Sequence, residues 1–288
     1  MTRVLLFAGQ GSQRAGMGRA EFDRYPEAER EASDVLGYSL RELCLEDPHG
    51  RLGDTRYTQP AVFVVNALAY RARREDGEQA PDLALGHSLG EYNALCAAGV
   101  FGFAEGLRLV QARAAAMARI TGGGMSVVIG LSETYLRFLL LRGGFGTLDL
   151  ANRNSPVQHV VAGPLADLEE FAPIAEDAGA RMVRRLPVSG PFHSRYMTPA
   201  AEEIAPLLRA ARLAPPAFDV IANSTAQPYP ADRIADHLIA QIDHPVRWVE
   251  SLQPLAQRDD VTFAEIGGTA LTSMVRQIRQ AATAGEAA

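Results

Sequence analysis

Short apolar runs alternate with stretches of helical spacing along the first part of the chain. Residues 4–8 form one apolar run before a glycine-rich loop, and residues 82–85 form another. Between them we expect a helix that begins at Pro60, because proline suits the first position of a helix. Further helices are predicted directly after the second run and over residues 104–120. Buried strands that alternate with helices predict an α/β body with a mainly parallel sheet.

The pattern changes after the glycines at 122–124. Strands are predicted over residues 125–131, 148–152, 159–162 and 180–188, and helices over residues 133–141 and 165–178. Their order is βαββαβ, which is the ferredoxin-like unit. We therefore predict a small subdomain of residues 124–189 inserted into a larger subdomain of residues 1–123 and 190–288. In the last part of the chain, helices are expected over 201–211, 234–242 and 246–257, and strands over 219–223 and 261–266.

Composition and charge narrow the class of protein. The chain has 288 residues, 47% of them hydrophobic, which is enough for a sizeable core. A net charge of −6 argues against a nucleic-acid partner, which would call for a basic surface. The two cysteines, Cys44 and Cys96, form no metal or disulfide pattern and suit a reducing compartment. The first apolar run is too short for a signal peptide or a membrane span, so we expect a cytoplasmic protein that makes no membrane contact.

One serine stands between two glycines where a predicted strand meets a predicted helix. The segment Gly86-His87-Ser88-Leu89-Gly90 fits the G-x-S-x-G pattern. In that pattern the serine occupies a strained turn, and the glycines let neighbouring backbone segments pass close to it. The same segment is also compatible with a simple turn whose serine caps the helix. The pattern alone leaves both interpretations open.

A nucleophilic serine needs a base, and His193 is the best candidate among the six histidines. It lies in Gly190-Pro191-Phe192-His193-Ser194, a constrained connection where the insert rejoins the body. At a sharp turn His87 should point away from Ser88, so we interpret it as structural. His159 opens a predicted strand, and the other three histidines, which we expect at the surface, are His49, His237 and His244. Without Ser88, a solvated or satisfied core histidine would be the more ordinary interpretation of His193.

Arg113 does not follow the solvent-facing pattern of its helix. Leu107, Val110, Ala114 and Met117 form the apolar stripe, and Arg113 lies on its flank. A structural ion pair or a side chain that covers core surface would explain this position. A substrate carboxylate bound by the planar guanidinium is the functional alternative.

Six short motifs follow one another along the chain: Gly9-Gln10-Gly11-Ser12-Gln13, Tyr57-Thr58-Gln59-Pro60, Gly86-His87-Ser88-Leu89-Gly90-Glu91-Tyr92, Asn154-Ser155-Pro156, Gly190-Pro191-Phe192-His193-Ser194 and Pro245-Val246-Arg247-Trp248. Their order resembles that of malonyl-CoA:acyl carrier protein transacylases, in particular the discrete enzymes that serve polyketide synthases in trans. The resemblance runs from about residue 4 to residue 276. It implies a hydrolase-like α/β body with a ferredoxin-like insert, the organisation that the pattern of elements also predicts.

The resemblance implies a role for each matching residue of the reaction centre. Ser88 would be the acylated nucleophile, and His193 the general base and acid. Gln241 would orient the imidazole of His193 through its backbone carbonyl. The backbone N–H groups of Leu89 and Gln10 would form the oxyanion hole.

Three more residues match substrate-binding positions of the family. Arg113 would bind the free carboxylate of malonate, and Asn154 would lie in the substrate site. Phe192 resembles the pattern of malonyl-selective members, in which a phenyl ring leaves little room for a branched acyl group. Two departures from the family pattern affect neighbouring loops: Ala8 replaces a proline, and the turn at Gly267-Gly268 is one residue shorter.

The activity that the resemblance implies is transfer of a malonyl group from malonyl-CoA to the thiol of an acyl carrier protein, by a ping-pong route. We expect no bound cofactor, since coenzyme A arrives as the thioester substrate, and we expect a monomer. An acyl hydrolase that clears stalled groups from carrier proteins is the alternative, and a non-catalytic carrier-docking protein is a third. For the acidic carrier, the basic stretch formed by Arg181, Arg184 and Arg185 is a candidate docking surface. A solvated strand edge is the ordinary interpretation of that stretch.

Overall fold

The computed structural model describes residues 1–286 of the chain; the last two residues of the predicted 190–288 segment lie outside the described residues. The strands are β1 (Thr2–Phe7), β2 (Leu83–Gly86), β3 (Gly123–Ile129), β4 (Asp149–Ser155), β5 (Gln158–Pro164), β6 (Met182–Arg185), β7 (Asp219–Ile221) and β8 (Val261–Ile266). The helices are α1 (Arg19–Arg24), α2 (Pro26–Leu36), α3 (Leu40–Leu45), α4 (Thr55–Glu75), α5 (Gly90–Ala97), α6 (Phe103–Ala118), α7 (Glu133–Arg142), α8 (Leu165–Asp177), α9 (Thr198–Ala210), α10 (Ile234–Asp243), α11 (Trp248–Ala256) and α12 (Ala270–Glu286).

The first sheet is parallel and has the order β7-β2-β1-β8. In β1 alternate side chains enter different cores: Val4 and Leu6 join the cluster around α11 and α12, whereas Leu5 and Phe7 join the cluster that includes α4 and α5. Both faces of the strand are therefore buried, which explains why its sequence is an apolar run without polar alternation.

The second sheet is antiparallel and has the order β4-β5-β3-β6. Val128 and Val161 pack on one face against α7 and α8, in a small core of their own. Met125 and Val160 point to the other face and belong to the large core of the body. The predicted α/β class with a parallel sheet and a separate βαββαβ unit is confirmed. The predicted subdomain boundaries stay a prediction.

The two sheets are joined by backbone and by charge. Asn152 of β4 forms a parallel bridge with Val246, and the N–H of Arg153 donates to the Val246 carbonyl at 2.9 Å. The Arg153 side chain lies between Glu133 of α7 and Glu250 of α11. These contacts fix the insert against the segment that leads into α11.

One predicted helix start is wrong. The helix begins at Thr55 and not at Pro60, because the Asp54 side chain caps it by accepting a hydrogen bond from the Arg56 N–H at 2.9 Å. Pro60 lies inside α4, where its ring removes a single backbone hydrogen bond. This start places Gln59 within the helix, on its buried side.

Other elements differ in extent or were not identified. β6 covers four residues only, whereas the predicted strand spans residues 180–188; the last backbone hydrogen bond from this segment to β3 is donated by the Leu186 N–H to the Met125 oxygen at 2.9 Å. The apolar pattern did not identify α1, α2, α3 or the C-terminal α12. Within residues 1–286, no helix combines the length and the apolar content that a membrane crossing requires.

Candidate active site

Ser88 lies on a strained turn between β2 and α5. Its φ of 53° is in the left-handed region, which a serine rarely adopts. The two flanking glycines are required by close packing: a Cβ at Gly86 would lie 1.9 Å from the carbonyl carbon of Gly90, and a Cβ at Gly90 would lie 2.1 Å from the Phe7 oxygen. The sequence pattern therefore marks a sharp strand-to-helix turn that holds the serine at the carboxyl end of the parallel sheet.

His193 reaches the same point from the connection that follows the insert. Its Nε2 lies 2.7 Å from the Ser88 Oγ, and its Nδ1 lies 2.9 Å from the Gln241 backbone oxygen. A carbonyl oxygen only accepts, so Nδ1 carries the proton and Nε2 of the neutral ring is an acceptor for the serine hydroxyl. This arrangement suits a hydroxyl that gives its proton to the imidazole as it attacks.

Burial keeps the His193 ring neutral. The side chain is buried, and removal from water is the largest cause that lowers the pKa of His193 to about 3; the positive charge of Arg113 and the nearby His87 ring act in the same direction. The hydrogen bond to Gln241 acts in the opposite direction but is the weaker effect. The ring is therefore a neutral acceptor over the whole physiological pH range.

Arg113 lies in the interior beside Ser88. Its Nη1 donates to Gln59 Oε1 at 2.7 Å, and its Nη2 donates to Gln241 Oε1 at 2.8 Å and to Ser88 Oγ at 3.1 Å. Neither a structural ion pair nor a side chain reaching to solvent describes this geometry. Within residues 1–286, no carboxylate oxygen lies within 4.0 Å of the guanidinium. The cation is held by neutral oxygens and by the face of the Tyr92 ring, 5.6 Å away.

The loop after β1 lies directly against the Ser88 turn. A Cβ at Gly9 would come within 2.2 Å of the His87 oxygen and 3.5 Å of the Leu89 nitrogen. Among the described residues, neither the Leu89 nor the Gln10 backbone N–H has a protein acceptor. Two free donors on adjoining segments are what an oxyanion site requires.

The two departures from the family pattern meet beside this loop. The Ala8 carbonyl accepts from the Asn66 amide at 2.9 Å, and the Ala8 N–H donates to the Ile266 oxygen at 2.9 Å. A Cβ at Gly267 would lie 3.0 Å from the Ala8 side chain and 2.5 Å from Asn66 Oδ1. The short turn thus packs against Ala8, and these bonds anchor the start of the loop.

Ser88 opens into a cavity of about 440 Å³ between the two sheets. Asn154, Phe192 and His87 line it. The substrate-binding roles of Asn154 and Phe192 stay predictions. His87 is held by Asn154, whose Oδ1 lies 2.8 Å from the ring Nε2, and by an edge contact with Trp248. Met125, Val160, Leu186 and Val188 bring apolar surface from the insert side.

The remaining histidines lie away from Ser88. His49 and His244 are exposed as expected, and His159 is buried in β5. The expectation for His237 is wrong in part: it is half-buried, because its ring packs edge-on against Tyr229.

Sequence reasoning missed three residues that hold the site together. Gln59 binds the Arg113 guanidinium, and the Asn223 Oδ1 accepts from the Ser88 backbone N–H at 2.7 Å. Glu91 is fully buried and contacts Gln241 through its carboxylate. Gln59 and Glu91 lie within the motifs quoted above. Each is a polar residue in an otherwise apolar, buried helix, and this pattern could have identified them.

Within residues 1–286, no three His, Cys, Asp or Glu side chains converge to hold a metal ion.

Comparison with known proteins gives consistent matches along the chain. A model of the acyl transferase domain matches residues 4–286. The polyketide biosynthesis protein ThaF of Burkholderia thailandensis is 46% identical over 288 residues, which cover 99% of this chain and 25% of ThaF. The polyketide biosynthesis malonyl CoA-acyl carrier protein transacylase PksC of Bacillus subtilis is 43% identical over 281 residues, which cover 97% of this chain and 98% of PksC.

A solved structure has nearly the same fold. The crystal structure of malonyl CoA-acyl carrier protein transacylase from Burkholderia pseudomallei superposes with a TM-score of 0.94 at 43% identity, covering 97% of this chain and 98% of that one. The chain thus spans a quarter of ThaF but almost the full length of PksC. On the match over residues 4–286, the chain belongs to the acyl transferase domain family.

Proposed function

We propose that the protein transfers malonyl groups from malonyl-CoA to the phosphopantetheine thiol of an acyl carrier protein, in trans for a polyketide synthase. The observation that carries this proposal is a buried guanidinium within 3.1 Å of the hydroxyl of the serine–histidine pair, with no carboxylate of its own among residues 1–286. The relative PksC, which this chain matches over 98% of its length, bears the name of that activity.

The first half-reaction forms an ester on Ser88. Its Oγ attacks the thioester carbonyl of malonyl-CoA while the hydroxyl proton passes to Nε2 of His193. The tetrahedral intermediate collapses, the C–S bond breaks, and the leaving coenzyme A sulfur takes the proton from His193. A malonyl-enzyme and free coenzyme A result, which is the first step of a ping-pong route.

The oxygen that becomes negative is stabilised by backbone donors. The N–H groups of Leu89 and Gln10 lie on two adjoining segments beside Ser88, which agrees with roles in an oxyanion hole. Each such donor commonly lowers the barrier by about 3–4 kcal/mol. The close approach at Gly9 keeps the two segments together.

Arg113 recognises the second carboxylate of the malonyl group. In the structure the Arg113 Nη2 donates to the Ser88 Oγ at 3.1 Å. The malonyl carboxylate is one CH₂ from the carbonyl that Ser88 attacks, so it would lie close to the same Nη2. Gln59 and Gln241 keep the guanidinium in place from the other side. A planar, permanently charged guanidinium suits a carboxylate better than a single-point cation would.

The second half-reaction returns the enzyme. The carrier thiol gives its proton to His193, its sulfur attacks the ester carbonyl, and the Ser88 oxygen leaves with that proton. The Gln241 backbone carbonyl holds the imidazole in the correct tautomer through both halves.

Arg113 also favours transfer of a charged acyl group over the hydrolase alternative. A hydrolase for uncharged stalled chains gains nothing from a buried cation beside its nucleophile. A docking protein without activity has no use for the strained Ser88 turn. A cytoplasmic location, a monomeric state and the lack of a bound cofactor remain predictions of the sequence.

Intact-mass measurement after mixing with malonyl-CoA tests the proposal. We expect the wild type to gain one malonyl group, and Ser88→Ala to gain none while keeping its thermal unfolding curve. Addition of a holo carrier protein should discharge the adduct onto the carrier thiol. A wild type that forms no adduct, or one that releases free malonate equally fast with and without carrier, contradicts malonyl transfer.

A further inference from the structure

A carboxylic acid is buried directly behind the reactive serine. Glu91 lies in the first turn of α5, three residues after Ser88, and its side chain is fully buried. An acid in such a place is costly unless its oxygens are hydrogen-bonded. The partners of Glu91 are therefore informative about its role.

The Glu91 carboxylate accepts three hydrogen bonds. Oε1 accepts from the Tyr229 hydroxyl at 2.5 Å and from the Asn223 backbone N–H at 3.0 Å, and Oε2 accepts from the Gln241 side-chain amide at 2.7 Å. A backbone N–H and an amide NH₂ can only donate, so the arrangement fits a carboxylate that accepts on both oxygens. The ionised acid is the form that satisfies all three donors.

Two of these contacts, those with Asn223 and Gln241, lead to the reaction centre. Asn223 receives the Ser88 backbone N–H and donates from its own amide to the Gly86 oxygen at 2.7 Å, which holds the strained turn from behind. Gln241 donates to the Ser88 backbone oxygen at 2.7 Å, accepts from Arg113, and bonds His193 through its carbonyl. One side chain thus connects the serine turn to the residue that orients the imidazole.

We propose that Glu91 is a positioning residue for acyl transfer, whose carboxylate holds the Ser88 turn and Gln241 in the arrangement that the reaction needs. This inference rests on the proposed function, because it assumes that Ser88 is acylated. A buried acid that merely stabilises the fold is the alternative.

Three charged or titratable groups face the Glu91 carboxylate. They are Arg113 from α6, Tyr229 from the segment after β7, and Tyr92 from α5 itself. Burial raises the pKa of Glu91 to about 7, although the three hydrogen bonds and the Arg113 charge favour the ionised form. His193, with a pKa near 3, stays neutral at pH 6, so it cannot produce an activity limb near neutrality.

The experiment measures how fast Ser88 is modified by a fluorophosphonate probe between pH 5.5 and 8.5, beside malonyl and acetyl loading from the coenzyme A thioesters. The probe reports nucleophile activation without any malonyl recognition. We expect the wild-type rate to fall below a pH of about 7, the pKa of Glu91. In Glu91→Gln the rate at pH 8 should drop about 10- to 100-fold, because the new amide NH₂ group faces a hydrogen-bond donor where a carboxylate oxygen accepted before. The decrease of the rate below pH 7, called the acid limb, should also disappear.

Two further variants separate positioning from folding. Tyr229→Phe removes one donor to Glu91, so the limb should move to higher pH while the rate at pH 8.5 stays near wild type. Glu29→Gln, a buried acid on α2 that bonds to Ser33, should change neither rate nor limb. In Glu91→Gln the ratio of malonyl to acetyl loading should stay within about threefold of wild type, since Arg113 is retained.

A folded Glu91→Gln with the wild-type rate and limb overturns the inference. So does a Tyr229→Phe profile that coincides with wild type. A wild type whose Ser88 reacts with the probe but takes no malonyl group would contradict the proposed function alone, and the probe rates would still decide the role of Glu91.

Discussion

Two arginines with little exposure to solvent, one in the body and one in the insert, have opposite surroundings. Arg153 of the insert lies between the carboxylates of Glu133 and Glu250, so its charge is already balanced. Arg113 of the body is fully buried; within the described part of the chain its guanidinium donates hydrogen bonds to neutral oxygens and lies over the face of an aromatic ring. The first arginine ties the insert to the body. The second holds a positive charge that a substrate carboxylate can balance.

Removing each guanidinium should give different results, and this is the largest effect that we expect. Arg113→Ala should lower malonyl loading by about 30- to 1,000-fold, the loss of roughly 2–4 kcal/mol for a buried charge pair. Acetyl loading should fall much less, because an acetyl group brings no charge. Loading of both thioesters is measured by intact mass over time.

Arg153→Ala is the matched control for that comparison. It should lower the midpoint of thermal unfolding and leave the malonyl-to-acetyl ratio unchanged. Equal loss of malonyl and acetyl loading in Arg113→Ala would mean that Arg113 serves the fold and not the substrate.

The neutral His193 predicts how stability depends on pH. Because burial lowers the pKa of His193 from 6.5 to about 3, the unfolded chain binds this proton between those values and the folded protein does not. Stability should therefore fall as the pH drops below 6.5, by about 2 kcal/mol at pH 5 through this group.

Urea unfolding at pH 7, 6 and 5 checks this value by comparing wild type with His193→Leu. Glu91, whose pKa is raised to about 7, acts in the opposite direction over the same range, but it is present in both proteins. The difference between the two curves isolates His193. Parallel curves would show that His193 takes up a proton in the folded protein as readily as in the unfolded chain.

Phe192 offers a smaller test of the cavity itself. It lines the space in front of Ser88, where a methyl branch on the acyl group would need room. Discrimination between malonyl-CoA and methylmalonyl-CoA should be about 10- to 200-fold in the wild type and narrower in Phe192→Ser. The measurement is kcat/KM for both thioesters, with Phe192→Leu as the variant that keeps a bulky side chain. Equal values for the two thioesters in the wild type would refute the selectivity.

The smallest effect concerns the exposed arginines of the insert. Arg184 and Arg185 lie on β6, at the edge of the antiparallel sheet. If an acidic carrier docks there, Arg184→Glu with Arg185→Glu should raise KM for the carrier by about three- to tenfold and weaken its salt dependence.

Arg209→Glu with Arg212→Glu reverses two exposed charges on the body and serves as the control. It should leave carrier kinetics unchanged. If both double variants behave alike, the carrier docks elsewhere.

The sequence predicted those parts of the site that depend on local geometry. Ser88 is marked by its two glycines, and His193 by the constrained connection that carries it. The start of α4 was misplaced, since the cap from Asp54 outweighs the signal of Pro60. Glu91 escaped notice because its partners Asn223 and Gln241 lie 132 and 150 residues away, and no local pattern encodes such contacts.

The order of strands in the parallel sheet has a consequence for synthesis of the protein. β1 pairs along its whole length with β8, so during synthesis β1 lacks this partner until residues 261–266 have been made. The antiparallel sheet, whose strands all fall between Gly123 and Arg185, can close much earlier. A nascent chain halted before residue 261 therefore holds a complete insert, while one edge of β1, beside the loop that carries Gln10, is still unpaired.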